Sequence, residues 1–135
     1  MDNLRVYLAG HTIEEDYRLT CHVRYGKRLD LVDPLKLVEY NWEEIKEKFN
    51  ENFDIYAVRR DKKLILSCDV LVAYVKKPTF GTVMEMIFAF ENGIHVYLID
   101  PTKRVRSDPW VKYHIRKSFN TIDECMRDII SVKNI

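Results

Sequence analysis

Glycine is scarce in this chain, with four residues among 135, at positions 10, 26, 81 and 93. None belongs to a G-x-G-x-x-G or G-x-x-x-x-G-K-[ST] run, so the usual fingerprints for dinucleotides and nucleoside triphosphates are missing. There is no G-x-S-x-G elbow for a hydrolase serine either. Cysteine is equally sparse. Cys21, Cys68 and Cys125 are odd in number and far apart, with no C-x-x-C and no Cys/His pair at metal-ligand spacing. That argues against a disulfide framework and a zinc site, and predicts reduced thiols in a cytoplasmic protein. Cys68 and Cys125 then read as small buried hydrophobes. No metal and no cofactor is expected.

A surplus of charge is lacking too. Lys and Arg number 22 against 21 Asp and Glu, a net charge of +1, which gives no electrostatic footprint for nucleic acid. No apolar run approaches the roughly 20 residues that span a bilayer. Met1-Asp2-Asn3-Leu4 does not open a signal peptide. Neither a membrane nor a nucleic-acid partner is expected, and no repeat or low-complexity segment is visible.

What is present is an ordinary globular composition, 47% apolar and 32% charged, enough for one domain over residues 1–135 with a real core. Leu4 to Ala9 is a short apolar run stopping at Gly10, a strand feeding a turn. Ile13 to Tyr25 reads as a helix ending near Gly26, and Leu29 to Val32 as a second strand closed by Asp33-Pro34. Pro34 to Tyr40 has no clean period and reads as a loop. Asn41 with Glu44 is a helix start, and Ile45, Phe49, Phe53, Tyr56 and Val58 continue a helix that breaks near Asn50 to Asp54. A further helix, Ala57 to Ser67, turns Leu64 and Ile65 inward.

Cys68 to Asn92 is the organising stretch. Val70 to Val75 reads as a strand buried on both faces, followed by a loop with Pro78 and Gly81 and a helix from Thr82 to Glu91 ended by Asn92-Gly93. Ile94 to Ile99 is a fourth strand. Lys103 to Asp108 is a basic loop, Pro109-Trp110 opens a short helix through Arg116, and Ser118 to Asn120 is an edge strand. Thr121 to Ser131 is the last helix, with Thr121 and Glu124 at capping-box spacing. This alternation predicts an α/β fold, a flavodoxin/Rossmann-like open parallel sheet of order 2-1-3-4-5 with helices on both faces. Its switch point lies between strands one and three, where the loops beginning at Gly10 and Lys76 meet.

Several residues near that point can carry chemistry. Glu85 has two readings. With Thr82 as N-cap it is the third helical residue of a capping box. On a helix apolar all round (Val83, Met84, Met86 to Phe90) it is instead a poorly solvated carboxylate near a helix start, suited to a nucleophile. Asp61 lies in the charged run Arg59 to Lys63, either solvated or presented near the switch point by the helix that buries Leu64 and Ile65. Asp69 is either a strand-entry turn residue or a ligand contact. Tyr7 ends a strand and can hydrogen-bond a carboxylate or a sugar hydroxyl. Gly10 allows close backbone approach, and His11 and Thr12 follow it toward a ligand.

These residues together resemble the nucleoside 2-deoxyribosyltransferase superfamily, including its 2′-deoxynucleoside 5′-monophosphate N-hydrolase branch. The matching pieces are Tyr7-Leu8-Ala9-Gly10, Asp61, Asp69-Val70-Leu71-Val72-Ala73, and Gly81-Thr82-Val83-Met84-Glu85 with Ala89. Their order and spacing agree from Tyr7 to Ile99. The resemblance implies an N-glycosidase or deoxyribosyltransferase acting on a small nucleoside or nucleotide. It assigns Glu85 as the nucleophile that forms a glycosyl ester, Asp61 as a proton donor or positioning group near the base, and Tyr7 as its neighbour. It also places Gly10, His11, Thr12, Asp69, Thr79 and Gly81 at the substrate.

The departures from the family bear on the branch. Deoxyribosyltransferases carry an aspartate where this chain has Thr79, and the monophosphate hydrolases carry a hydroxyl residue there against the 5′-phosphate. Thr79 therefore leans toward the hydrolases, with base exchange as the alternative. The hydrolases' Gly-Ser-x-Arg pattern is replaced by Gly10-His11-Thr12-Ile13, which leaves Thr12, Arg18, Arg24 or a neighbouring subunit's Lys103 to Arg106 loop as substitutes. A reading of another class is a nucleotide-binding or sensor module without turnover. The apolar helix from Thr82 to Glu91 predicts at least a homodimer.

Overall fold

A computed structural model describes residues 3–35, 43, 47 and 52–132, the side chain of Glu15 excepted. The elements follow in the order β1 (Arg5–Gly10), α1 (Glu15–Tyr25), β2 (Asp30–Val32), α2 (Phe53–Leu66), β3 (Val70–Tyr74), α3 (Phe80–Glu91), β4 (His95–Ile99), α4 (Pro109–His114), β5 (Lys117–Phe119) and α5 (Ile122–Ser131). The strands form one five-stranded sheet in the order β2-β1-β3-β4-β5, parallel at every pairing. The expected doubly wound sheet is present, with its switch point between β1 and β3.

Period-two alternation explains how this sheet carries two cores. Val6 and Leu8, Val70 and Val72, and Tyr97 and Ile99 face α1 and α5, where they meet Tyr17, Cys21, Cys125 and Met126. Tyr7 and Ala9, Leu71 and Ala73, and Val96 and Leu98 face the other way, against Ile65 of α2 and Met86 and Ala89 of α3. Val70 to Ala73 are all fully buried, so β3 reads in sequence as an unbroken apolar run. Cys68 and Cys125 are buried thiols, as their apolar neighbours predict.

Gly10 closes β1 where the chain has no room for a side chain. A Cβ there would lie 3.3 Å from the Tyr17 ring and 3.3 Å from the Tyr74 carbonyl oxygen. Tyr17 itself stacks on Tyr74 at 4.8 Å and donates its hydroxyl proton to the Val72 carbonyl at 3.2 Å. Those contacts hold α1 against the end of β3. Gly93, at φ 76°, ends α3 in the left-handed region that favours glycine.

Several boundaries differ from the sequence reading. The helix expected from Ala57 begins at Phe53 and runs unbroken to Leu66. The helix expected from Thr82 begins at Phe80, with Thr79 as the N-cap. α4 stops at His114 because Ile115 is extended, at φ −114° and ψ 148°. Nor is α3 buried all round, since Phe80 is 87% and Met84 65% exposed. The Asn41/Glu44 spacing and the positions Ile45 and Phe49 lie outside the described residues.

Candidate active site

A cavity of about 530 Å³ opens where the C-terminal half of β1 meets α1, α2 and α3. Tyr7, Gly10, His11 and Thr12 line it from β1 and the loop after it, Asp61 from α2, and Thr79, Gly81 and Glu85 from α3 and its cap. One predicted site residue is not with them. Asp69 precedes β3, at the opposite end of the strands, and its Oδ2 accepts the Arg5 backbone N–H at 2.8 Å. Because β3 runs away from Asp69 toward Tyr74, that carboxylate fixes strand entry and stays clear of the cavity.

Glu85 lies in the second turn of α3, so the capping-box reading fails. Three residues after the cap comes Thr82, not an acid, and Thr79 Oγ1 donates to Thr82 Oγ1 at 2.9 Å. The first turn of α3 holds no acidic side chain and receives no side-chain cap. Its leading N–H groups therefore remain available at the cavity wall.

Tyr7 is fully buried in β1, on the face covered by α2 and α3. Its hydroxyl and Glu85 Oε2 are both buried and without a hydrogen-bond partner among the described residues. They are near enough to act on each other. Burial pushes the Glu85 carboxyl up to about 7, with Asp61 adding to the rise, while Tyr7, Arg18 and Arg60 oppose it. Burial, then the charges of Glu85 and Asp61, hold the Tyr7 phenol well above its ordinary value. Tyr7 is thus a neutral donor beside a carboxylate that takes up a proton near neutrality.

Asp61 is 31% exposed at its side chain and is gripped by its neighbour Arg60. Arg60 donates Nη2 and Nε to Asp61 Oδ1 at 2.8 and 3.2 Å, and Nη2 also to the Pro34 carbonyl at 2.9 Å. Burial raises the Asp61 carboxyl and Arg60 partly offsets the rise. His11 Nδ1 accepts the Ile13 backbone N–H at 3.0 Å, so the ring folds the β1–α1 loop over the cavity. Among the described residues no group of His, Cys, Asp or Glu is arranged to hold a metal.

The cations considered as phosphate substitutes are differently placed. Arg18 lines the cavity but is 2% exposed and committed to the protein. Its Nη2 donates to the Gly10 carbonyl at 2.8 Å, its Nη1 to the His11 carbonyl at 3.0 Å, and its Nε sits 3.2 Å from Asp33 Oδ1. Arg24 pairs with Asp123 across α1 and α5. Arg106 spends its N–H groups on Asp100, Phe119 and Asn120, bracing the turn after β4.

Sequence reasoning missed Arg60, Asp33 and Thr82. Arg60 lies three residues after Ala57 and four before Leu64, the helical spacing of one face, but the charged run around it reads as solvated.

A second cavity, of about 510 Å³, lies between α2 and α3. Val58, Ile65, Met84, Ile87 and Phe88 make it apolar, and it shares Asp61, Gly81 and Glu85 with the first.

No protein-family model and no curated protein matches the chain. Solved structures do. A 2-deoxyribosyltransferase from Bacillus psychrosaccharolyticus matches with a TM-score of 0.69 at 15% identity, over 89% of this chain and 88% of that one. A CMP N-glycosidase from Clostridium botulinum, BcmB, matches at 0.60 and 16% identity, over 93% and 96%. A conserved protein from Enterococcus faecalis V583 matches at 0.59 and 16%, over 96% of each chain. The chain has the fold of the nucleoside 2-deoxyribosyltransferase-like superfamily, to which the first two of these enzymes belong.

Proposed function

We propose that this chain is an enzyme that cleaves or transfers the N-glycosidic bond of (deoxy)nucleosides or their 5′-monophosphates through a glycosyl ester on Glu85. The reading leans to deoxynucleoside 5′-monophosphates with water as acceptor. One observation carries it: Tyr7 and Glu85, each with a buried oxygen lacking a partner, meet Asp61 on a single cavity. A Glu85 carboxylate attacks the anomeric carbon, and the base leaves with the electron pair of the C–N bond. Asp61, whose carboxyl is raised by burial, supplies the leaving base with a proton. Water, giving a proton to Asp61, then opens the ester and returns Glu85 to its carboxylate, as in retaining glycosidases. Tyr7 donates to Glu85 and keeps it aimed.

The lean toward a 5′-phosphate rests on Thr79 and the uncapped start of α3, where N–H groups and the helix field favour an anion. Gly81, exposed and with open space around its Cα, lets a ligand approach that backbone. Likeness to the 2-deoxyribosyltransferase keeps base exchange as the alternative acceptor chemistry. A nucleotide-binding module without turnover is the reading of another class. It is favoured by the commitment of Arg18 to carbonyls and to Asp33, which leaves that cation unable to replace the missing arginine after Gly10. Two copies associating over the apolar groove between α2 and α3 would account for the exposure of Met84 and Phe80. A monomer by light scattering at micromolar concentration would remove that part of the reading.

The test is release of free base from deoxynucleoside monophosphates and from nucleosides. Wild-type protein should release base, and Glu85→Ala should lose at least about a thousandfold in rate, as loss of a nucleophile does. Equal background rates from the two would end the enzymatic reading. Stabilisation by a nucleotide without base release would select the binding module.

A further inference from the structure

Three charged groups beyond the proposed catalytic residues are buried around the cavity: Arg18, Asp33 and Arg60. They form a chain. Arg18 holds the carbonyls of Gly10 and His11 and faces Asp33, and Asp33 Oδ1 accepts the Leu35 backbone N–H at 3.0 Å. Pro34, between them, gives its carbonyl to Arg60, which also donates to Asp61. The loop after β1, the loop after β2 and the carboxylate on α2 are thereby joined side by side.

We propose that Arg60 is a positioning residue, which occupies Oδ1 of Asp61 with two N–H groups and ties it to the Pro34 carbonyl so that Oδ2 is the oxygen offered to the ligand. This rests on the N-glycosidase reading for its chemistry, but its geometry stands apart from it. Both N–H contacts, at 2.8 and 3.2 Å, fall on the same carboxylate oxygen. Arg60 is 9% exposed, so its guanidinium is held by packing as well as by its bonds. A single filled oxygen on a half-buried carboxyl fixes the rotation of that carboxyl, which a flexible surface aspartate lacks.

Arg60 also sets charge. The charged and titratable groups lining the two cavities with the Asp61 and Glu85 carboxyls, among the described residues, are Tyr7 from β1, His11 from the loop after it, Arg18 from α1, Arg60 and Lys62 from α2 and Glu91 from α3. Arg60 opposes the rise of both carboxyls. Removing it must therefore move both ionisations to higher pH. If Glu85 works ionised and Asp61 works protonated, the rising and the falling limb of the pH–rate profile move in the same direction.

The experiment compares wild type, Arg60→Met and Arg60→Lys by base release across pH, with circular dichroism as the folding control. Arg60→Met should lower kcat by roughly ten- to a hundredfold, the cost of a misplaced reacting group, and displace the whole profile toward higher pH. Arg60→Lys, which keeps the charge but loses the fork, should restore the position of the profile more than its height. A Met variant that is slower at every pH, with its profile at the wild-type position, has only lost packing and overturns the proposal.

Should wild type release no base, the N-glycosidase reading fails by itself. Arg60 is then judged by carbon-13 NMR titration of the Asp61 carboxyl. That carboxyl must titrate at higher pH in Arg60→Met than in wild type, and an unchanged titration overturns the proposal. If the Met variant does not fold, the same titration decides on Arg60→Gln, which also removes the charge.

Discussion

Arg18 Nε stands 3.2 Å from Asp33 Oδ1, and the two side chains are 2% and 1% exposed. Asp33 Oδ2 has no hydrogen bond among the described residues, and His22 Nε2 is 3.9 Å from it. Taking one partner from such a pair leaves a buried charge uncompensated and costs roughly 3–5 kcal/mol. Arg18→Met should therefore destabilise the fold by about that amount in urea denaturation. Arg18→Met with Asp33→Leu should recover most of the loss, because the apolar pair carries no desolvation cost.

Glu85 makes stability depend on pH in the direction opposite to most carboxylates. Its folded pKa, about 7, lies above the ordinary value of 4.5, so the native state binds more protons than the unfolded chain between those values. Stability is greatest at low pH as far as this group is concerned, and falls as pH rises from 4.5 to about 7. The whole effect is up to roughly 3 kcal/mol. Glu85→Gln removes it. In thermal melts the variant should match wild type near pH 4 and melt higher at pH 8.

Tyr7→Phe isolates the hydroxyl at the cavity. Since Tyr7 Oη is buried without a partner among the described residues, its removal costs the fold little and can stabilise it by about 1 kcal/mol. The activity should respond the other way. A hydrogen bond to a charged group is worth roughly 1.5–3 kcal/mol, so base release should fall about ten- to a hundredfold, and its rise with pH should begin later because Tyr7 opposes protonation of Glu85. Equal activity in Tyr7→Phe and wild type would remove Tyr7 from the chemistry.

The sheet was legible because its central strands are apolar on both faces. Val70 to Ala73 and Val96 to Ile99 can sit only between two helix layers, and the order of the strands follows from right-handed crossovers. The start of α3 was not legible. Thr82 and Glu85 have capping-box spacing, but the chain turns into helix at Phe80, behind Thr79, whose side chain makes no capping bond. Asp69 misled for a different reason. A match of residue types says nothing about which end of a strand a side chain occupies, and Asp69 sits at the entry of β3. Arg60 was hidden among Arg59, Asp61, Lys62 and Lys63, where charge density suggested solvent. Its burial depends on the Pro34 carbonyl, a long-range partner that no local pattern announces.

Asp61, Gly81 and Glu85 line both cavities. Covering the apolar groove would therefore bury the carboxyls of Asp61 and Glu85 further. Drying favours their protonated forms. By reciprocity, protonation must favour whatever covers the groove by the same free energy. An occupant of the groove, a second copy included, would bind more tightly on the acid side of pH 7 than on the alkaline side, and would hold back the ionisation of Glu85. The helix pair α2–α3 would then couple association on the outer surface to charge in the inner cavity.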